Sequence, residues 1–545
     1  MRARATRRRQ RAANMTKAKK EKEAISFEGV LMNCRNALRG VGSTEKNRDA
    51  VISLVFLKFA GDKFEKQRAK LLADSDLPPE LLDDPASYLQ DSVFYLKESA
   101  RWSYLVANAS ANNIAVLLDQ ALFDIEKSNV PLKGALPQGL FVSLNASKES
   151  IKSLIDEVNK LDKRSFHEED LVGRVYEYFL RAYAAAGTKE DGEFYTPACV
   201  VKLIAELVEP FAGVVYDPCC GSGGMFVQSM KFVESHRGDK LNISILGQEL
   251  NPDTWRLCKM NLAIRGIFHN LGEKNASTFT NDLHPNRKVD YIMANPPFNF
   301  KGWRGEDELL DDPRFRGFSA LPSTSNANYA WILHMRSKLH AERGVAGFLL
   351  ANGALNSDGV DYEIRKDLLE KDQVEAIIVL PRDMFYTTDI SVTLWILNMN
   401  KRARKDERKN LRDRSGEVLF MDLRRWDQNV EEISFDKNKR KKKTVLADAQ
   451  IDEIKKIFDA WRSAEKGAYR DVPELCKSAT LEQIRKQDYS LAPSKYVEFL
   501  DRDLAIDFEK EMARIQREMK DILREEKEAQ IMLTDAFKGI GYGIE

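Results

Sequence analysis

The chain has 545 residues, 43% hydrophobic and 31% charged, with a formal net charge of +1. That length is more than one compact core holds, so two or three domains are expected, and the composition excludes a wholly disordered or collagen-like chain. A balanced total charge is neutral on nucleic-acid partners, because a basic face can be offset by an acidic one elsewhere.

The cysteines Cys34, Cys199, Cys219, Cys220, Cys258 and Cys476 lack the paired spacing of a zinc site or a disulfide framework, which fits a reducing cytoplasm. The adjacent Cys219 and Cys220 read as small packed thiols, since vicinal cysteines rarely close a relaxed disulfide. No run of eighteen apolar residues occurs, and no apolar stretch follows the basic start, so neither a membrane span nor a secretory signal is expected.

In chain order, residues 1–24 form a basic arm without a hydrophobic pattern, expected to be disordered. Residues 25–185 read as a helical N-terminal domain: Asp49 to Phe64 and Glu149 to Leu161 place apolar side chains three and four apart, and Pro78, Pro79 and Pro85 mark a loop. Residues 186–430 alternate short β-rich runs (Val214–Tyr216, Ile243–Leu246, Asp290–Ala294, Val345–Ala351, Val374–Leu380, Ser391–Met399) with helical stretches. This predicts an α/β domain with a mostly parallel sheet and a site at the carboxyl ends of its strands. Two charge-dense stretches, Lys401 to Arg414 and Lys437 to Lys443, are expected to be exposed loops; the second suits phosphate contact and a solvated loop equally. Residues 431–545 read as a C-terminal region, helical from Ala449, in which Phe508, Met512, Ile515, Met519 and Ile522 alternate four and three apart as a seam for a partner helix. The competing reading is packing of that seam onto its own domain.

Three motifs carry chemistry. Asp217-Pro218-Cys219-Cys220-Gly221-Ser222-Gly223-Gly224 links a strand to a helix, where glycines allow a tight turn close to a ligand and the acid can hold an amino group. By itself such a loop suits a dinucleotide equally well. Glu249, after the second strand, stands where a carboxylate accepts ribose hydroxyls, and Asp282 follows one helix later as a candidate acceptor for an adenine amine. Each acid alone is more often a cap or surface residue; their order gives them weight.

The decisive motif is Asn295-Pro296-Pro297-Phe298, at the end of an apolar strand. An exocyclic amine on an aromatic base is a poor nucleophile because its lone pair is delocalised into the ring. Two acceptors, the Asn295 side-chain oxygen and the Pro296 carbonyl, can take its two hydrogens and free the lone pair. The prolines stiffen the turn, and Phe298 offers a face for a flipped base. Transfer from a sulfonium needs positioning, so no metal is expected.

The order DPCCGSGG, GQE, NPPF resembles the amino-methyltransferases that bind S-adenosylmethionine. Within them the chain is similar to the modification (M) subunits of Type I restriction-modification systems. Gly192-Glu193-Phe194-Tyr195-Thr196-Pro197 precedes the sheet, Asn33 to Lys66 is similar to their helical N-terminal domain, and Tyr489 to Val497 to their C-terminal signature.

That resemblance implies a Rossmann-like S-adenosylmethionine-dependent methyltransferase domain between a helical N-terminal domain and a helical C-terminal extension, acting as an adenine-N6 methyltransferase on double-stranded DNA. Glu193, Phe194, Tyr195, Thr196, Pro197 and Ala198, with Asp217, Gly221, Ser222, Gly223, Gly224, Glu249 and Asp282, would line the cofactor. Asn295, Pro296, Pro297 and Phe298 would handle the adenine. A separate specificity (S) subunit, flanked by two M subunits, would read the DNA, and a restriction (R) subunit would supply ATP-driven cleavage, since the chain has no G-x-x-x-x-G-K-(S/T) loop. A protein-glutamine methyltransferase and a non-catalytic assembly subunit are the alternatives.

Overall fold

The computed structural model describes residues 27–73, 78–91, 93–161, 178, 196–385, 389–405, 408–436, 439–500 and 508–539. The expected basic arm and Glu193 to Tyr195 lie outside these residues.

The N-terminal part is helical, as its periodicity predicts, with long helices at Phe27–Ala37, Thr44–Ala73, Ile114–Ser128 and Lys148–Asn159. The last shows the local logic. The Ser147 hydroxyl accepts the Ser150 N–H at the helix start, and Ile151, Leu154, Ile155 and Val158 fall on one stripe and are all buried. These helices share a core with Leu257, Met260, Ala263 and Ile264 of helix Pro252–Ile264, so the N-terminal domain is docked on a helix of the α/β body.

The α/β body is built on a 9-stranded sheet. Its strands are β1 (Gly213–Asp217), β2 (Ile243–Gly247), β3 (His269–Asn270), β4 (Tyr291–Ala294), β5 (Val345–Ala351), β6 (Val374–Val379), β7 (Val392–Asn398), β8 (Glu417–Asp422) and β9 (Cys476–Thr480). Across the sheet the order is β9-β8-β6-β7-β5-β4-β1-β2-β3. The strands run parallel except β7, antiparallel to β5 and β6, and β9, antiparallel to β8. β5, β6 and β7 are buried at every position, which explains their continuous apolar runs: both faces are covered. One face packs helices Ala198–Val208, Gly224–Ser235 and Asp448–Arg462; the other packs Asn328–Lys338 and Val360–Glu370.

Four sequence expectations change. The α/β body does not end at residue 430, because β9 completes the sheet and helix Asp448–Arg462 buries Ile451, Ile454, Phe458 and Trp461 against it. Without them the apolar flank of β8 would face water. The region after Ala449 is therefore not continuously helical. Nor is Lys401 to Arg414 simply an exposed loop: Lys401 and Arg414 are buried at its ends, paired with Asp372 and Glu375. Their charge density conceals this, because a cation with a carboxylate partner can be buried where an unpaired one cannot. Finally, part of the second charged stretch is a strand, Lys439–Thr444, forming a two-stranded ribbon with Val430–Asp436.

Helix Phe508–Gly539 has no buried residue; Phe508, Met512, Ile515, Met519 and Ile522 are all exposed. The seam does not pack onto its own domain among the described residues.

Candidate active site at the carboxyl ends of three strands

Register brings the motifs together. Asp217 of β1 is paired with Gly247 of β2, so the glycine loop and Glu249 leave the sheet side by side. On the other side Tyr216 pairs with Ile292 of β4, so Asn295 emerges beside the same loop.

The glycine loop folds back on the strand ends. The Asp217 carboxylate accepts the Cys219 N–H at 3.0 Å, and Glu249 accepts the Gly221 N–H at 3.0 Å and the Asn251 N–H at 2.9 Å. Gly221 and Gly223 have φ of +53° and +85°, the region L side chains rarely adopt. A Cβ on Gly223 would lie 2.9 Å from the Cys258 sulfur, so this glycine allows the loop to approach helix Pro252–Ile264. A Cβ on Gly221 or Gly224 would meet nothing within 4 Å, leaving an open cradle above the loop. Asn261 of the helix holds the loop by donating to the Ser222 carbonyl at 2.8 Å.

Burial pushes the Asp217 carboxyl up to about 7, opposed by the Cys219 hydrogen bonds and reinforced by the nearby Glu249 charge. The acid is therefore neutral in the folded chain over a range where the unfolded chain ionises it. The resulting destabilisation is absent below its ordinary value and complete above about 7. Asp217→Asn, which keeps the oxygen that accepts the Cys219 N–H, is expected to raise the melting temperature above wild type at pH 8 by more than at pH 5.5. An unchanged gap would show that Asp217 does not titrate in this range.

Asn295 is the other half of the site. Its Nδ2 donates to Thr196 Oγ1 at 2.8 Å, so the Thr196-Pro197-Ala198 turn at the start of helix Ala198–Val208 abuts the Asn-Pro-Pro-Phe motif. Its Oδ1 is buried and accepts no hydrogen bond among the described residues. A buried amide oxygen without a donor costs stability unless a ligand supplies one. Pro296 is buried and Pro297 half-buried, and the half-buried Phe298 ring meets Phe385 edge-on, with centroids 6.5 Å apart. The backbone of Asn295 also lies against the Cys219 thiol, which burial and Asp217 push up, so Cys219 is a neutral packing group joining the two motifs.

Asp282 stands differently. One oxygen takes the His284 N–H at 2.9 Å and the other pairs with the buried Lys338 at 2.5 Å. The link between its segment and the glycine loop is Gln248, fully buried, whose side chain binds the Ala276 and Asn281 carbonyls and the Leu283 N–H.

Other structuring residues carried no sequence signal. Arg314, on the loop after the Pro-Pro turn, donates to the Thr278 and Phe279 carbonyls at 2.9 and 2.6 Å while its guanidinium is forked on Asp312. It thereby ties that loop to the segment carrying Asp282. Burial, then the adjacent Arg314 charge, hold the His334 imidazole well below its usual range; neutral, it can accept from Arg314 and donate to the Tyr216 hydroxyl. Asn299, with φ +54°, receives the Asn328 amide at 2.9 Å and fixes the exit of the turn. Isolated Arg, His and Asn residues have no spacing that announces such roles.

A buried acceptor after β4, a glycine loop after β1 and an acid after β2, gathered at the carboxyl ends of neighbouring parallel strands, form the candidate site of an α/β-class transferase. The N-6 DNA Methylase family matches residues 167–503, and the HsdM N-terminal domain matches residues 27–158. The Type I restriction enzyme HindI methylase subunit of Haemophilus influenzae is 37% identical over 82% of this chain and 99% of its own length. The MjaIX methylase subunit of Methanocaldococcus jannaschii is 32% identical over 95% of this chain and 92% of its own. The fold is shared with the type I restriction-modification methyltransferase subunit from Streptococcus thermophilus, with a TM-score of 0.68 at 24% identity over 87% of this chain and 99% of that one. The chain thus belongs to the N-6 DNA methylases, as a type I restriction-modification methylase subunit, an adenine-specific DNA methyltransferase. Among the described residues no helix is long and apolar enough to cross a membrane.

Proposed function

We propose that this chain methylates N6 of an adenine flipped out of duplex DNA, using S-adenosylmethionine, as the cytoplasmic modification subunit of a complex whose DNA sequence is read by a separate S subunit. The observation that carries the reading is the buried Oδ1 of Asn295 beside the glycine cradle, which has no donor among the described residues. Its partner is one hydrogen of the adenine amine; the Pro296 carbonyl takes the other, and Phe298 stacks on the base. S-adenosylmethionine, when bound, supplies an electrophilic methyl on a sulfonium.

The residues around the cradle suit that cofactor. Glu249 faces the ribose, Gly221 to Gly224 allow its close approach, and Asp217 meets its cationic amino-acid end. Thr196 to Ala198, with Glu193 to Tyr195 preceding them, cover the methionine moiety. Asp282 acts at one remove, fixing its segment through Lys338. Because a cation favours the ionised form of Asp217, cofactor affinity should fall as pH drops below about 7, and Asp217→Asn should flatten that dependence. Calorimetry across pH 6 to 8 checks this; parallel curves for the two proteins would refute it.

The exposed seam of helix Phe508–Gly539 supports a partner contact, and the S subunit, held by two M subunits, is its proposed occupant, with an R subunit joining the full assembly. A chain ending at Leu500 is expected to bind cofactor normally but not to co-purify with S; retained assembly would overturn this. The whole reading is tested by transfer of labelled methyl to DNA, with and without the S subunit, followed by nucleoside analysis. N6-methyladenine formed only with the partner supports it. Cofactor binding by a well-assembled complex without DNA methylation rejects it.

A further inference from the structure

The contact between Phe298 and Phe385 spans the sheet. Phe298 follows β4 and Phe385 follows β6, with β5 and β7 lying between those strands, yet the ring centroids are 6.5 Å apart. The segments leaving β4 and β6 therefore bend toward each other over the same end of the sheet. Each carries an exposed cation three residues from its ring, Lys301 after Phe298 and Arg382 before Phe385. At about 3.6 Å of extended chain per residue, the Cα of each cation lies within about 11 Å of the Cα that bears the ring.

The backbone under both cations is held in place. Before Lys301 the Phe300 carbonyl accepts the Ala327 N–H at 2.9 Å, and after it the Gly302 N–H donates to the Thr324 carbonyl at 3.1 Å. On the other segment Pro381 is buried, and Asp383 donates its N–H to the Asp389 carbonyl at 3.4 Å. The Asp383 carbonyl accepts the N–H of Thr444, the last residue of the basic ribbon, at 3.0 Å. Its neighbour Lys443 binds the Asp389 carboxylate at 2.8 Å, so that acid is already offset. Each segment also turns through a left-handed residue, Asn299 with φ +54° and Asp383 with φ +59°, a conformation that Asn and Asp tolerate at tight turns.

A base rotated out of a duplex stays attached to its sugar, so its two flanking phosphates are drawn to the mouth of the pocket that receives it. With the base stacked on Phe298, those phosphates arrive at the rim that carries Lys301 and Arg382. Cations mounted on fixed turns meet them with little backbone ordering left to lose.

We infer that Lys301 and Arg382 hold the target-strand phosphates on either side of the flipped adenine, one on each flank of the Phe298 and Phe385 pair. The inference rests on the base-flipping methyltransferase reading and adds the residues that keep the extruded nucleotide at the pocket. Phosphate contacts set position without reading sequence, which leaves sequence reading to another subunit.

The test uses the assembled methyltransferase complex with a duplex containing its methylation site, and with duplexes in which a neutral methylphosphonate replaces the phosphate 5′ or 3′ to the target adenine. Lys301→Gln and Arg382→Gln are each expected to weaken DNA affinity about three- to tenfold near physiological salt, and to reduce the slope of log affinity against log salt by about 1. KM for DNA should rise by a similar factor while cofactor affinity stays within about twofold of wild type, a pattern that misfolding would not produce. On the duplex lacking the charge it would have met, each variant's penalty should shrink to less than about twofold, because the two changes remove one and the same interaction. An unchanged salt slope would overturn the inference. So would a penalty of equal size on both methylphosphonate duplexes, which would place these cations against phosphates elsewhere. A wild-type complex that binds cofactor but does not methylate DNA would instead remove the functional reading itself, so the two failures are distinguishable.

Discussion

Asn295→Ala is expected to lower methyl transfer to DNA by about a thousandfold or more while leaving cofactor affinity within a few fold. The Asn295 Oδ1 is buried with no donor among the described residues, and the substitution removes this acceptor together with the Nδ2 that meets Thr196. The adenine amine would then keep its lone pair in the ring. Asn295→Asp preserves the acceptor, and Thr196 can reverse its role and donate its hydroxyl hydrogen to the carboxylate. That variant should retain activity within about a hundredfold of wild type. Single-turnover transfer with saturating cofactor and duplex separates the two, and equal losses in both variants would reject the acceptor role.

The second large effect is on stability. Glu375 on β6 and Arg414 before β8 are both fully buried, joined at 3.0 Å, with Asn398 of β7 donating to the second Glu375 oxygen at 2.8 Å. Burial pushes Glu375 up, but Arg414, Arg462 and Asn398 outweigh it and hold the carboxyl below its usual range. Glu375→Ala leaves the Arg414 guanidinium in the core without its counterion, at an expected cost of about 3–5 kcal/mol. Replacing both residues with Met should cost far less, because desolvation of both charges is removed with their attraction. Chemical denaturation of the three proteins checks this. If the double variant is no better than Glu375→Ala, the loss comes from packing and not from an orphaned charge.

The parts of the fold legible in the sequence were those with local physics. The core strands could be placed because strands covered on both faces must be apolar throughout, as β5, β6 and β7 are. The N-terminal helices could be placed because one stripe must be apolar, as in Lys148–Asn159. The glycine loop, Glu249 and Asn295-Pro296-Pro297-Phe298 were visible because each chemistry demands particular residue types within a few positions of a strand end.

Partnership across long separations was not legible. Asp282 had the residue type of a ligand acceptor but pairs with Lys338, fifty-six positions away. Lys401 and Arg414 looked solvated because a cation's burial depends on a carboxylate that only the fold brings to it. β9 was missed since its own five residues, Cys476–Thr480, are short and of mixed composition, and only pairing with β8 places them at the sheet edge.

Sequence by itself determined the class of chemistry and the identity of the groups that could perform it, since glycine conformations, apolar periodicity and the acceptor atoms of an Asn-Pro-Pro turn are properties of short segments. Tertiary structure decided which of those groups share a site, which charges are neutralised in the core and where the basic ribbon is rooted. Those outcomes depend on sheet order and register, through which residues 99 positions apart, Thr196 and Asn295, come within a hydrogen bond of one another.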